Sequence, residues 1–198
     1  KNKKVKIIIN KKNLGVGKSR NRGIKATKTK YVAFCDADDI WKKHKLKKQI
    51  YYMEKMKVDF SHTDYNLINT RNKIIGQMKV KKTLVYNDLL KSCDIALSSV
   101  IIRRSILKKS FKFGLTKTKE DYLLWLKISK TSQIYGINKK LLYWRKTKNS
   151  LSSNTLQKFY DAFNVYNQTE NKNFLITFFY VFRLSVYYVI KKIRQKTF

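Results

Sequence analysis

Tyr31-Val32-Ala33-Phe34-Cys35-Asp36-Ala37-Asp38-Asp39-Ile40-Trp41 decides how this chain is read. Five apolar residues in succession form a short run of the kind that makes a buried strand, with Cys35 expected as a small core residue. Three carboxylates within four positions follow at once. The chain has 12 Asp+Glu against 46 Lys+Arg, so a cluster of three acids needs a physical reason. Like charges this close repel unless a cation sits among them. Asp36 and Asp38 could share a hard divalent ion, which takes oxygen ligands and keeps positions open for phosphate oxygens. The carboxyl ends of parallel strands are also where open α/β sheets bind ligands. A plain acidic turn capping the next helix is the alternative, but one Asp would serve for that.

Working outward, residues 5–10 (Val-Lys-Ile-Ile-Ile-Asn) read as an earlier strand, Asn13-Leu14-Gly15-Val16-Gly17 as a turn, and residues 18–27 as a helix. Strand, helix and strand in that order predict a parallel βαβ unit. Residues 41–57 predict a basic amphipathic helix with Leu46, Ile50, Met53 and Met56 inward. Further strands are expected over 58–68 (polar exit Ser61-His62-Thr63-Asp64), 96–103, 133–137 and 141–145. Short and long helices are expected over 87–91 and 120–130, the latter with Glu120 and Asp121 where the helix dipole favours carboxylates. Residues 174–190 are almost wholly apolar, broken by Thr177, Arg183 and Ser185, and Lys191, Lys192, Arg194 and Lys196 follow. That run falls short of the roughly 20 residues of a spanning helix. It reads as an interfacial membrane segment, with a buried C-terminal helix as the alternative.

The formal charge is 46 − 12 = +34, which points to a polyanionic partner: nucleic acid, anionic membrane or phosphorylated substrate. A content of 43% hydrophobic and 14% aromatic residues excludes a disordered basic tail. With no Pro and 6 Gly, collagen-like and linker classes are excluded too. Cys35 and Cys93 cannot build a disulfide scaffold or a zinc cage, and reduced thiols are expected. The charged, strand-like beginning carries no secretory leader, and a first residue of Lys points to a chain that starts inside a longer product.

Asn13-x-Gly15-x-Gly17-x-Ser19-Arg20-Asn21-x-Gly23, then Asp36-Ala37-Asp38-Asp39-Ile40-Trp41, then Lys45-Leu46-x-x-Gln49 resembles the family 2 glycosyltransferases. Downstream, Asp64-Tyr65, Ser98-Ser99-Val100-Ile101-Ile102-Arg103-Arg104, Glu120-Asp121-Tyr122-x-Leu124-Trp125-Leu126, Tyr143-Trp144-Arg145 and Ser150-Leu151-Ser152 continue the pattern in order. The resemblance covers about residues 4–153. It implies an α/β, Rossmann-like GT-A fold, lacking the first strands of the family pattern and followed by an apolar C-terminal helix. The expected division is a partial glycosyltransferase domain over 1–153 and a helical, membrane-associated segment over 154–198.

The resemblance also implies roles. Asp36 and Asp38, an Asp-x-Asp motif, would hold Mg²⁺ or Mn²⁺ on the diphosphate of a nucleotide-sugar. Asp121 would be the general base of an inverting transfer, with Glu120 beside it. Asn13, Gly17, Arg20, Asn21, Asp36 and Arg145 would serve the donor nucleotide, and Ser98, Ser99 and Trp125 the acceptor. The acceptor would be a cell-surface glycan or lipid-linked precursor, met at the cytoplasmic face of the cell membrane on an anionic lipid surface. His44 and His62 read as a solvated helix position and a strand-end residue. Two rival readings are a basic nucleic-acid-binding protein, favoured by charge and by 13 Tyr and 11 Phe, and a catalytically dead membrane-bound remnant. The first leaves the acidic cluster unexplained.

Overall fold

The computed structural model describes residues 5–107, 112–147, 154–170 and 173–196. Helix α1 (Gly15–Ala26) leads to strand β1 (Tyr31–Ala33), the short β2 (Ile40–Trp41), helix α2 (Lys45–Lys55) and strand β3 (Phe60–Ile68). Then come β4 (Ile74–Met78), β5 (Thr83–Leu84), α3 (Tyr86–Leu89), a 3₁₀ turn (Leu97–Ser99) and β6 (Ile101–Arg103). A second 3₁₀ turn (Arg104–Ile106), α4 (Glu120–Ser129), β7 (Ile134–Arg145), α5 (Thr155–Glu170) and α6 (Phe174–Lys196) complete the chain.

The sheet runs β1-β6-β3-β7-β2, with β4 added to β3 and β5 to β7. β3 and β7 are parallel, whereas β6 lies antiparallel between β1 and β3. β1, β3 and β7 therefore point the same way. The parallel crossover expected from the sequence exists, but one element later: it is β1–α2–β3. Residues 5–10 form no strand; Ile7 and Ile9 stand exposed. A β-branched run becomes a strand only when it finds a ladder partner, and none of the described strands pairs with it. The strand expected over 96–103 is shortened by the 3₁₀ turn at Leu97–Ser99, and the two strands expected over 133–145 are one, β7.

Two helices cover opposite faces of the sheet. Phe60 and Ser61, neighbours on β3, point opposite ways: Phe60 stacks edge-on against Trp125 of α4 (centroids 4.9 Å apart), and Ser61 meets Gln49 of α2. Trp125 is the hub of the larger core, with Phe34 and Phe113 also edge-on to it. Each such pair is worth about 0.5–1.5 kcal/mol beyond area burial. α5 joins the same core through Ala162, Val165 and Tyr166, so residues 154–198 bring their own helices but not their own core. The hydroxyls of Tyr122 and Tyr166 meet at 2.9 Å and fasten α5 to α4.

The buried face of α2 differs from the expectation. Lys45, Gln49 and Met53 face inward, while Leu46 and Met56 are exposed. The sheet face above α2 carries polar backbone that needs partners: the Gln49 amide donates to the carbonyls of Ser61 and Ser99. The Lys45 ammonium donates to Gln49 Oε1 at 2.8 Å and lies 4.5 Å from the Trp41 ring centroid. Cys35, expected in the core, is exposed at the exit of β1.

Burial pushes the Lys45 ammonium down to about 7 from 10.5, so unfolding takes up a proton between those values. Stability therefore rises with pH across that window. Melting temperatures of wild type and Lys45→Met, measured from about pH 7 to about pH 10, should show a rise in the wild type that is largely absent in the variant. Parallel curves would assign the buried ammonium no such role.

Candidate active site

Three segments converge where β1 ends. The first is α1, whose start is capped by the Asn13 side chain accepting from the Gly15 N–H at 2.9 Å. Gly17 faces the loop before α4 so closely that a Cβ would sit 2.0 Å from the Gly114 carbonyl oxygen. Asn21 grips the same loop with both ends of its amide, donating to the Phe113 carbonyl at 3.1 Å and accepting from its N–H at 2.9 Å. Asn13, Gly17 and Asn21, expected to touch a nucleotide, are thus occupied in seating α1. Backbone capping and close approach favour the same residue types as a ligand loop, so sequence alone cannot separate the two uses.

Arg20 is different. Its guanidinium donates to Asp36 at 2.7 Å and to Glu120, joining the acidic cluster after β1 to the first turn of α4. Burial opposes its charge, but the two carboxylates outweigh burial and hold its pKa above the ordinary value.

The second segment is the acidic turn itself. Ser98 Oγ accepts from the Asp36 N–H at 2.9 Å, and the Ser98 carbonyl accepts from the Trp41 indole at 2.7 Å. Ser99 Oγ donates to the Ala96 carbonyl. Both serines, expected at the acceptor, are fully buried, and Ser98 braces the acidic turn. Arg145 braces the turn from the other side. Its N–H donates to Asp39 Oδ1, its Nε to the Asp38 carbonyl and its Nη1 to the Asn69 carbonyl, at 2.8–2.9 Å. Burial pushes the Asp39 carboxyl above the ordinary range.

The third segment is the start of α4. Lys119 adopts a left-handed conformation (φ +59°) immediately before the Glu120-Asp121 pair, a strain of the sort that marks functional turns. A buried carboxylate holds that turn: Asp161 of α5 accepts from the Thr118 N–H and hydroxyl, both at 2.7 Å. Asp161 was missed in the sequence because one Asp in a helix of Tyr and Asn shows no pattern. Asp121 accepts from the Tyr122 N–H at 2.7 Å. Its pKa is pushed up to about 7, by burial first and then by the charge of Glu120, against the pull of Arg20 and Lys119. Trp125, placed with the acceptor by sequence, has no exposed surface and lies in the core. Its ring packs edge-on against Phe34, Phe60 and Phe113 between α4 and the sheet.

Among the described residues, no group of three or more His, Cys, Asp or Glu side chains is placed to hold a metal ion. Asp36 and Asp38 are nevertheless hard oxygen donors in the right setting. Asp36 gives one oxygen to Arg20, and the Asp38 carboxylate is exposed. Two carboxylates that leave most coordination positions open suit Mg²⁺ or Mn²⁺ shared with a phosphate-bearing ligand. His62 is buried in β3, neither ring nitrogen has a partner among the described residues, and burial pushes its pKa down to about 4 despite Asp94. It is a neutral interior residue of mid-strand rather than a strand-end one. Ser150-Leu151-Ser152 lies outside the described residues.

Known proteins resemble this chain in sequence and in fold. The chain is 36% identical over 153 residues to the Escherichia coli UDP-Glc:alpha-D-GlcNAc-diphosphoundecaprenol beta-1,3-glucosyltransferase WfgD, a match covering 76% of this chain and 59% of that protein. TuaG of Bacillus subtilis, named provisionally as a teichuronic acid biosynthesis glycosyltransferase, is 30% identical over 174 residues, 87% of this chain and 69% of TuaG. The crystal structure of S. aureus TarS 1-349 in complex with UDP-GlcNAc superposes with a TM-score of 0.61 at 22% identity, over 79% of this chain and 46% of that one. The chain thus spans a little under three fifths of the E. coli relative and under half of the solved structure, whose likeness establishes the GT-A fold. The family model described as glycosyl transferase family 2 matches residues 1–111, and this chain belongs to that family.

Proposed function

We propose that the chain serves an inverting transfer of a sugar from a nucleotide-diphospho-sugar to a hydroxyl of a lipid-diphosphate-linked or cell-surface glycan, with Asp121 as the base. One observation supports this reading: Arg20 ties Asp36 to Glu120, so the acidic turn after β1 and the Glu120-Asp121 pair share one site. The activity for which the E. coli relative is named supports the choice of a UDP-linked donor and a polyprenyl-diphosphate acceptor. Asp36 and Asp38 would hold Mg²⁺ or Mn²⁺, which when bound neutralises charge on the diphosphate leaving group.

The protein's own groups do the rest. Asp121 takes the proton of the acceptor hydroxyl as that oxygen forms its bond to the anomeric carbon. The bond to the diphosphate breaks on the opposite face, which inverts the centre. A carboxyl raised to about 7 is matched to proton transfer near neutral pH. Arg20 keeps that carboxylate from rising further, and Arg145 and Ser98 hold the turn that presents Asp36 and Asp38.

In the intact enzyme, Asp121→Asn should bind donor normally yet lose about two or more decades of turnover. Near-normal turnover would move the base to Glu120. The wild-type rate should climb with pH through about 7 as Asp121 ionises. Arg20→Met removes a positive charge, so this acidic limb should move to higher pH, whereas Arg20→Lys should hold it near the wild-type position. An unmoved limb in Arg20→Met would separate Arg20 from the base.

A second reading concerns where the enzyme works. α6 turns Thr177 and Val181 inward and stacks Tyr180 on Tyr166 of α5 (centroids 5.4 Å apart). Its outer face leaves Leu175, Phe178, Phe179 and Phe182 each more than half exposed, and Leu156 and Tyr160 of α5 are exposed as well. Among the described residues no helix is long and apolar enough to cross a membrane. Aromatic surface of this extent on a strongly basic chain fits a peripheral seat on anionic lipid at the cytoplasmic face. The protein should co-sediment with phosphatidylglycerol vesicles and retain part of that binding at high salt, because burial is not screened. Phe178→Asp with Phe182→Asp should abolish the retained part. Complete loss of wild-type binding at high salt would indicate electrostatics alone, as expected of the nucleic-acid-binding rival.

A further inference from the structure

On the sheet face that carries α2 lies a cavity of about 690 Å³ that shares no residue with the acidic site. Lysines from separate parts of the fold ring it: Lys42 between β2 and α2, Lys48 on α2, Lys79 after β4, and Lys139 and Lys140 on β7. None of the five is in an ion pair among the described residues. Lys140 donates to Gln77, and Lys42 lies 5.2 Å from the Tyr143 ring centroid. The chain is lysine-rich throughout, so number alone argues little. The construction of the rim argues more.

β7 makes this rim by breaking its own ladder. Thr63 pairs with Ile137, Asp64 with Lys140 and Tyr65 with Leu142, so Asn138, Lys139 and Leu141 are extra residues. Bulges of this kind re-aim side chains. Asp64 and Asn138 then pin the opposite rim. Asp64 Oδ1 accepts from the Val80 N–H at 2.7 Å and Asn138 Nδ2 donates to the Val80 carbonyl at 3.1 Å. The strap over residues 79–82 is laid directly on Gly136, where a Cβ would sit 2.2 Å from the Lys81 carbonyl oxygen and the N–H donates to the Lys82 carbonyl at 2.9 Å. The one carboxylate in the wall, Asp64, is therefore committed to backbone rather than to an ammonium. Five lysines thus border one space whose sole carboxylate has an oxygen bound to backbone, and a bound anion would relieve their mutual repulsion.

We infer that this lysine-ringed cavity, held open by the β7 bulge and the pinned Val80 strap, binds a phosphate-bearing polyanion independently of the metal site. Ammonium groups recognise phosphate as point charges, and the volume accommodates a diphosphate with attached sugar or glycerol. Two sources share this chemistry: the diphosphate of a lipid-linked acceptor and the headgroup of a phospholipid.

The test is calorimetric titration of the whole chain with inorganic diphosphate in EDTA at physiological salt, which silences cation-dependent binding at Asp36 and Asp38. Saturable one-site binding is expected. Lys79→Glu with Lys139→Glu should weaken it about tenfold or more, whereas Lys25→Glu with Lys28→Glu, the same charge change on and after α1, should weaken it less than about twofold. Circular dichroism of both variants checks that the fold is kept. A second pair, Lys79→Gln with Lys139→Gln, should give an intermediate loss should the reversal variant unfold. Absence of saturable binding, or equal losses in the two reversal variants, overturns the site. Glycerol 1-phosphate distinguishes the sources: binding much weaker than diphosphate identifies a diphosphate-linked ligand, and comparable binding identifies a phospholipid headgroup.

Discussion

One guanidinium holds the acidic site together. Arg20 spans from Asp36, at the end of the first strand, to Glu120, at the start of a helix a hundred residues further along. Without that bridge, Asp36, Glu120 and the raised carboxyl of Asp121 would press like charges together in a half-buried corner. A hydrogen bond to a charged group is worth about 1.5–3 kcal/mol, and the Glu120 arm, with that carboxylate only 10% exposed, lies nearer that range than the more screened Asp36 arm. Much of the neighbouring architecture serves to deliver Arg20. Gly17 lets α1 lie against the loop at Gly114, and Asn21 fixes the rotation of α1 by gripping Phe113.

The same economy governs the other carboxylates. Asp36 is aimed by Ser98, the Asp38-Asp39 turn by Arg145, and the Glu120-Asp121 turn by Asp161 acting through Thr118. Ser98 and Arg145 act on backbone of the acidic turn, and Asp161 acts on Thr118 before α4. Such division of labour explains why half the polar residues expected at a ligand turn out to be braces. A site that must hold clustered negative charge with little motion needs more supporting groups than contacting ones.

How much of this was legible in the sequence depended on range. The strand running into Asp36-Ala37-Asp38-Asp39 and the acidic start of α4 were readable, because each rests on a local pattern. The inward face of α2 was not. Apolar periodicity favoured Leu46, Ile50 and Met53, yet Lys45 and Gln49 are buried because Ser61 and Ser99 carbonyls across the sheet need a donor. Residues 5–10 have every local mark of a strand and are not one, since pairing is a property of two segments. Trp125 sits in the same motif as Glu120 and Asp121, but its ring is buried against Phe34, Phe60 and Phe113, contacts that only the fold supplies. Asp161 and the β7 bulge were invisible, being defined only by what folds against them.

Charge has the last word in how the two faces differ. Five of the 12 acids, Asp36, Asp38, Asp39, Glu120 and Asp121, gather at one site in a chain of net charge +34. The surrounding field attracts anions from a distance and raises their encounter rate, with a reach set by salt. At the acidic site itself that attraction reverses. A diphosphate would meet clustered carboxylates there, and the cation proposed for Asp36 and Asp38 would offset that repulsion. Over the lysine-ringed cavity no such intermediary is needed. One molecule can therefore treat the same phosphate chemistry in two ways. On the proposed reading the acidic site would discriminate through a bound cation, and the lysine cavity would hold anions by direct attraction that salt weakens.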